Sequence, residues 1–192
     1  MAAKPGERKL QILQTVAQML EQPKGEKITT AALAARLELS EAALYRHFAS
    51  KAQMFEGLIE FIEQTIFGLV NKITSEETAG LKQVEGVLAL LLGFAQKNPG
   101  MTRVLIGEAL VNEDSRLQTR INQLHDRLEA TLKQSLRLAA SQQEIPAETD
   151  AAAQANLMMS FVVGRWHQFA KSGFKREPME FWAAQGRALI KG

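Results

Sequence analysis

The chain contains no cysteine, which excludes disulfides and thiolate metal sites and fits a reducing cytoplasm. It has no long apolar run either. The longest, "VLALLLGFA" (Val87 to Ala95), is about half of what a membrane span needs and reads as a buried helix. The opening stretch "MAAKPGERKLQ" has no apolar h-region, so no signal peptide is expected. Period-two alternation, internal repeats and low-complexity tracts are also missing, which argues against strands, solenoids and disordered tails. No Gly-rich phosphate loop, GxSxG elbow or paired-carboxylate motif occurs. His47, His125 and His167 are too far apart for a ligand motif such as HExxH. Neither an enzyme, a metal site nor a cofactor is expected.

What remains is a globular chain, 46% hydrophobic over 192 residues, with a net charge of only +2. The charge is unevenly spread. Residues 1–51 hold eight Lys and Arg against five Asp and Glu, a net +3, whereas the rest is −1. That asymmetry is a weak footprint of phosphate binding. Apolar residues recur at three and four along almost every segment, as in Ile12, Leu13, Val16, Ala17 and Leu20. Interruptions fall at "QPKGEK", "TSEETAG", "NPG" (Asn98 to Gly100), "SQQEIP" and "GFKREP". The pattern predicts an all-α chain of about nine helices. The fourth runs from Lys51 to about Ile73, opened by a Ser50/Gln53 capping box.

Within residues 29–51 two short helices are separated by about four residues, the spacing of a helix-turn-helix. Thr29 or Thr30 caps the first, "AALAAR", and Ser40 caps the second, "SEAALYRHF". Leu33, Leu37, Leu44 and Phe48 close a small core with the first helix of the chain. Glu41, Ala42, Tyr45, Arg46 and His47 are left outside. The small side chains in front suit a helix entering a major groove about 12 Å wide. Tyr45, Arg46 and His47, with Thr29, Thr30 and Lys51 at helix ends, supply hydrogen bonds for phosphates. A helical hairpin with a polar rim has the same spacing.

The stretch "ITTAALAARLELSEAALYRHFASKAQMFEGLI" resembles the DNA-binding domain of TetR-type regulators. That family's pattern has a Thr, a short Ala-rich helix, a turn ending in Ser, then Leu-Tyr-x-His-Phe and a Lys. Here these are Thr29/Thr30, Ser40, Leu44-Tyr45-x-His47-Phe48 and Lys51. One departure is Glu38, where the family turn usually carries Gly; a non-Gly residue in a left-handed conformation costs roughly 1 kcal/mol. The resemblance implies a TetR-like architecture, with a three-helix DNA-binding domain at 1–51 and a helical regulatory and dimerisation domain at 52–192.

Further segments, "LIEFIE", "LLLGFAQKNPGMTRVL", "RLQTRINQLHDRLEA" and "FKREP", resemble the nucleoid occlusion branch of the family. The resemblance implies a DNA-bound antagonist of the tubulin-like division GTPase FtsZ, located on the nucleoid. It implies that the C-terminal tail of FtsZ docks between the fourth and fifth helices, where Phe61, Leu90, Gly93, Lys97 and Asn98 are the matching positions. In that branch a basic residue stands where this chain has Leu69. The residues themselves add an independent observation. Phe55, Leu58, Ile59, Ile62, Ile66, Leu69, Val70 and Ile73 share one stripe of the fourth helix, and Phe61 falls about 120° from its centre. Leu90 likewise falls off the stripe formed by Val84, Val87, Leu88, Leu91 and Ala95. Packing against a further helix is the plainer account of both.

Arg120, Arg127 and Arg137 lie among acids and read as the solvated face of a long helix. The penultimate helix is apolar around most of its circumference, which predicts burial against a second subunit through Met159, Val163 and Trp166; a larger core within one chain is the alternative. The partners expected are therefore double-stranded DNA, FtsZ and a second copy. A repressor released by a small ligand would share the head but enclose an apolar pocket in its body.

Overall fold

A computed structural model describes residues 5–22 and 28–191. Among them are nine α-helices, one 3-10 turn and no strand. The helices are α1 (Pro5–Leu20), α2 (Thr30–Arg36), α3 (Glu41–Tyr45), α4 (Lys51–Glu76) and α5 (Gly80–Lys97), followed by α6 (Pro99–Leu105), α7 (Ser115–Ser141), α8 (Ala151–Lys171) and α9 (Trp182–Lys191). The 3-10 turn, Glu108–Leu110, lies between α6 and α7. The expected breaker after α1 falls outside the described residues except for Gln22. No described helix is long and apolar enough to cross a membrane.

The chain forms two compact units, and a cut at residue 51 does not coincide with them. One is Met1–Ile62 with Asn98–Ile121; the other is Glu63–Lys97 with Asn122–Gly192.

In the first unit, Ile12, Val16 and Leu20 of α1 are buried as their spacing predicts, with Leu33, Leu44 and Phe48 from the helix-turn-helix. A five-residue helix such as α3 cannot persist alone in water. Its Leu44 is fully buried, an anchor contributing about 2 kcal/mol. The "NPG" segment ends α5 and also begins α6, because Pro99 stands where a helix needs no N–H. Gly100 then allows α6 to lie directly on α1: a Cβ there would sit 1.9 Å from the Ala17 carbonyl oxygen. At the start of α4 Ser50 caps as expected, Gln53 N–H donating to Ser50 Oγ at 3.2 Å, while Gln53 Oε1 accepts at 2.9 Å from Ala49 N–H, one residue before the cap, rather than from Ser50 as a full capping box would.

In the second unit, Leu124, Leu128, Leu132 and Leu136 of α7 supply a buried stripe, as do Val84, Val87, Leu88 and Leu91 of α5. The N-terminus of α5 is capped by residues distant in sequence: Gly80 N–H donates to Gln142 Oε1 at 2.8 Å and Leu81 N–H to Glu144 Oε2 at 2.9 Å. Gln83 is buried and satisfied, donating to the Thr74 and Glu77 carbonyls and accepting from Ser135 Oγ. Arg165 ties "KREP" down by donating to the Glu177 and Pro178 carbonyls at 2.6 and 3.3 Å.

Leu69 departs from the expected stripe of α4. It is 43% exposed, whereas Phe55, Leu58, Ile59, Ile62, Ile66 and Val70 are buried. The buried arc of this helix is narrower at its edge than its apolar pattern. Of the arginines expected on the solvated face of α7, Arg127 and Arg137 are exposed and Arg120 is half-buried. The Arg127 guanidinium lies 3.8 Å from the Phe67 ring centroid, and Arg120 donates to the Glu56 carbonyl.

Candidate nucleic-acid interface

The helix-turn-helix is held by three local devices. Thr29 Oγ1 accepts from Ala32 N–H at 3.1 Å and caps α2; Ser40 Oγ accepts from Ala43 N–H at 3.1 Å and caps α3. Between them, Glu38 N–H donates to the Ala35 carbonyl and Leu39 N–H to the Ala34 carbonyl, at 3.1 and 2.9 Å. That is a Schellman ending, whose pivot is Glu38 at φ 55°. The left-handed backbone expected at this non-glycine position is therefore present, and the turn holds its form.

These devices fix which side chains face outward. Glu41, Ala42 and Arg46 are exposed, Tyr45 is 44% exposed, and His47 is half-buried. Thr29 is exposed and Thr30 half-buried, its Oγ1 donating to Glu41 Oε2 at 2.7 Å. α3 ends at Tyr45, sooner than the sequence suggests, so Arg46 and His47 lie in the turn that follows. The face is lined by hydroxyls, the Arg46 guanidinium, the His47 imidazole and one acid, with small alanines in front. It suits phosphate hydrogen bonding around a groove-entering helix.

Lys51 is the exception. Its Nζ donates to Glu113 Oε1, 62 residues along the chain, and lies 5.7 Å from the Phe55 ring centroid. No sequence signal exposes that pairing, because nothing local links the two positions. Lys51 and Glu113 also line a cavity of about 290 Å3, together with Leu20, Ile28, Phe55 and the Arg103–Glu108 ion pair.

The body residues are placed as follows. Phe61 on α4 is half-buried and belongs to the first unit, as does Asn98. Leu90 and Gly93 on α5 are half-buried and Lys97 is exposed, all in the second unit. A Cβ built on Gly93 would meet nothing within 4 Å, so packing inside the chain does not demand glycine there.

Of the residues expected at a subunit interface, Met159 and Trp166 are corrected. Both are buried within one chain, and the Trp166 indole N–H donates to the Leu91 carbonyl at 3.1 Å. Surface already lost to the core has nothing left to bury against a partner. Val163 is half-buried. Besides Val163, the larger apolar residues of α8 that keep surface are Leu157, 54% exposed, and half-buried Phe161, which line an open groove with Ala188 and Leu189 of α9.

Comparison with known proteins agrees with this architecture. Residues 17–58 match the DNA-binding pattern of bacterial regulatory proteins of the tetR family, and residues 78–191 match a tetracyclin repressor-like C-terminal domain of SlmA-like type. The nucleoid occlusion factor SlmA of Alteromonas mediterranea is 50% identical over 188 residues, covering 98% of this chain and 96% of that protein. The nucleoid occlusion factor SlmA of a Marinomonas species is 47% identical over 191 residues, covering 100% and 97%. Among solved structures, the TetR family regulator PfmR of Thermus thermophilus superposes with a TM-score of 0.75 at 21% identity, over 94% of this chain and 97% of that one. The fatty acid degradation regulator FadR of Bacillus halodurans gives 0.79 at 14% identity, over 100% and 98%. At such identities these two structures speak to the fold alone. The chain belongs to the TetR family of bacterial regulatory proteins, DNA-binding regulators rather than enzymes, and carries the family's SlmA-like C-terminal domain.

Proposed function

We propose that the protein is a sequence-specific DNA-binding nucleoid occlusion factor, cytoplasmic and nucleoid-associated, that antagonises the division GTPase FtsZ when bound to DNA. The observation carrying this reading is that identity of 47–50% to proteins of that name extends over nearly the whole chain. A repressor of unrelated role would share the head and diverge in the body, where ligand or partner is chosen. The exposed hydroxyls of the helix-turn-helix, with Arg46, supply the DNA contacts. Lys97 and the unfilled space at Gly93 offer α5 to a partner peptide with acidic or carboxylate groups. Homodimerisation belongs to the same reading. The groove lined by Leu157 and Phe161 is where a second copy would bury apolar surface.

Mapping of binding sites across the chromosome tests the proposal. Sites scattered over the genome and sparse near the terminus are expected. A single site at a neighbouring promoter would instead make the protein a repressor released by a small ligand. The cavity beside Lys51 would suit an apolar ligand poorly, since two ion pairs line it.

A further inference from the structure

We propose that Glu113 sets the DNA affinity of the protein, because it holds Lys51 in an ion pair that a DNA phosphate must displace. The inference rests on the assignment of Lys51 as a phosphate contact. Lys51 is the first residue of α4, directly after the helix-turn-helix, and its side chain is 23% exposed while that of Glu113 is 15% exposed. The carboxylate is presented by the turn that ends the 3-10 segment. Glu113 N–H donates to the Leu110 carbonyl at 3.0 Å, and Asn112 adopts φ 68°, a conformation asparagine tolerates better than most residues. This turn belongs to the same compact unit as the head.

An ammonium already paired and laid over an aromatic ring is a poor phosphate ligand until its partner lets go. The free protein therefore binds DNA with one cation partly withdrawn. A partly exposed ion pair is weak enough to exchange, yet strong enough to shift the balance. The sign is definite: removing the carboxylate releases the lysine and tightens binding. Because a phosphate contact positions without reading bases, operator and unrelated DNA gain together.

The test is a double-mutant cycle read by DNA binding across a salt series. Glu113→Gln is expected to tighten binding about three- to tenfold and to steepen the logarithmic salt dependence by up to about 0.9. Glu21→Gln removes one exposed acid from the same unit and measures the effect of net charge alone. In a Lys51→Gln background, Glu113→Gln should give no more than that control. Should Lys51→Gln weaken binding while Glu113→Gln gains nothing beyond Glu21→Gln, or gains equally without Lys51, the competition is overturned. Should Lys51→Gln leave binding unchanged, the phosphate assignment falls and takes this inference with it, while the remaining contacts of the head stand. Glu113→Asp keeps the charge and shortens the reach. If Glu113→Gln does not fold, Glu113→Asp must give an intermediate tightening that is lost in Lys51→Gln; no tightening overturns the proposal.

Discussion

Glu38 is an L-residue in a backbone position that glycine adopts without strain. Replacing it by Gly should stabilise the protein by about 0.5–1 kcal/mol, relief of strain outweighing the added freedom of the unfolded chain. Glu38→Val, β-branched, should destabilise it. The readout is the denaturant midpoint at unchanged slope, and a lower midpoint for Glu38→Gly would refute the strain. Much at this scale is legible in the sequence. Both caps of the helix-turn-helix and the Ser50 cap of α4 are local patterns, written within four residues. The Lys51–Glu113 pair is not legible, because a contact spanning 62 residues leaves no mark on either neighbourhood. The structure also sharpens the choice of probe for DNA binding. Thr29→Ala would remove a helix cap as well as a hydroxyl, confusing folding with affinity. Tyr45 is exposed, and Tyr45→Ala leaves no cavity. Its loss should weaken binding to all DNA sequences about tenfold, the worth of a hydrogen bond to a charged group, with the melting temperature unchanged. Unaltered affinity at several salt concentrations would remove Tyr45 from the interface.

At the scale of elements, α8 shows how far periodicity reaches. Its apolar circumference is plain in the sequence, but composition does not say which stripe faces inward. Met158, Val162, Trp166 and Phe169 are as apolar as Leu157 and Phe161, and only packing against α5 separates them. Leu157→Glu should therefore give monomers with native helix content and weak operator binding, whereas Trp166→Glu should unfold the chain by burying a charge. Sedimentation showing an unchanged dimer for Leu157→Glu would move the interface elsewhere. The start of α7 gives a test by pH. Asp114 titrates at about 2, held down chiefly by its hydrogen bond from the Arg116 side chain and then by Arg116 N–H. Its folded pKa is depressed, so whatever stability it adds is complete above the ordinary value of 3.8 and disappears as pH falls through about 2. Arg116→Gln should raise the Asp114 midpoint toward the ordinary value in an NMR titration. A midpoint already ordinary in the unaltered protein would contradict the pairing.

At the scale of the molecule, chain order and packing part company. α4 and α7 each contribute to both compact units, and the linear cut expected at residue 51 gives no sign of that. Only long-range contacts carry such information, and periodicity registers none. This bears on how the proposed encounter with FtsZ is tested. By sequence Phe61 is the cleanest probe, since it falls off the core stripe of α4. It is half-buried, however, so truncating it disturbs packing as well as any partner contact. Lys97 is exposed in the last turn of α5, where a charge change leaves no cavity and costs the helix terminus up to about 1 kcal/mol. Lys97→Asp should weaken binding of an FtsZ C-terminal peptide about tenfold at low salt and progressively less as salt rises, because repulsion between exposed charges is screened. Leu90→Ala should weaken it with little dependence on salt, its contribution being apolar contact; Leu90 is half-buried like Phe61, so the variant's melting temperature is read beside the affinity. Operator binding by the same preparations is the control, and it should be unchanged in both. Loss of peptide binding with the operator still bound assigns these positions to the partner. If peptide binding survives both substitutions, the α5 surface is a bystander, and the shared ancestry with nucleoid occlusion factors would have to act through another face of the protein.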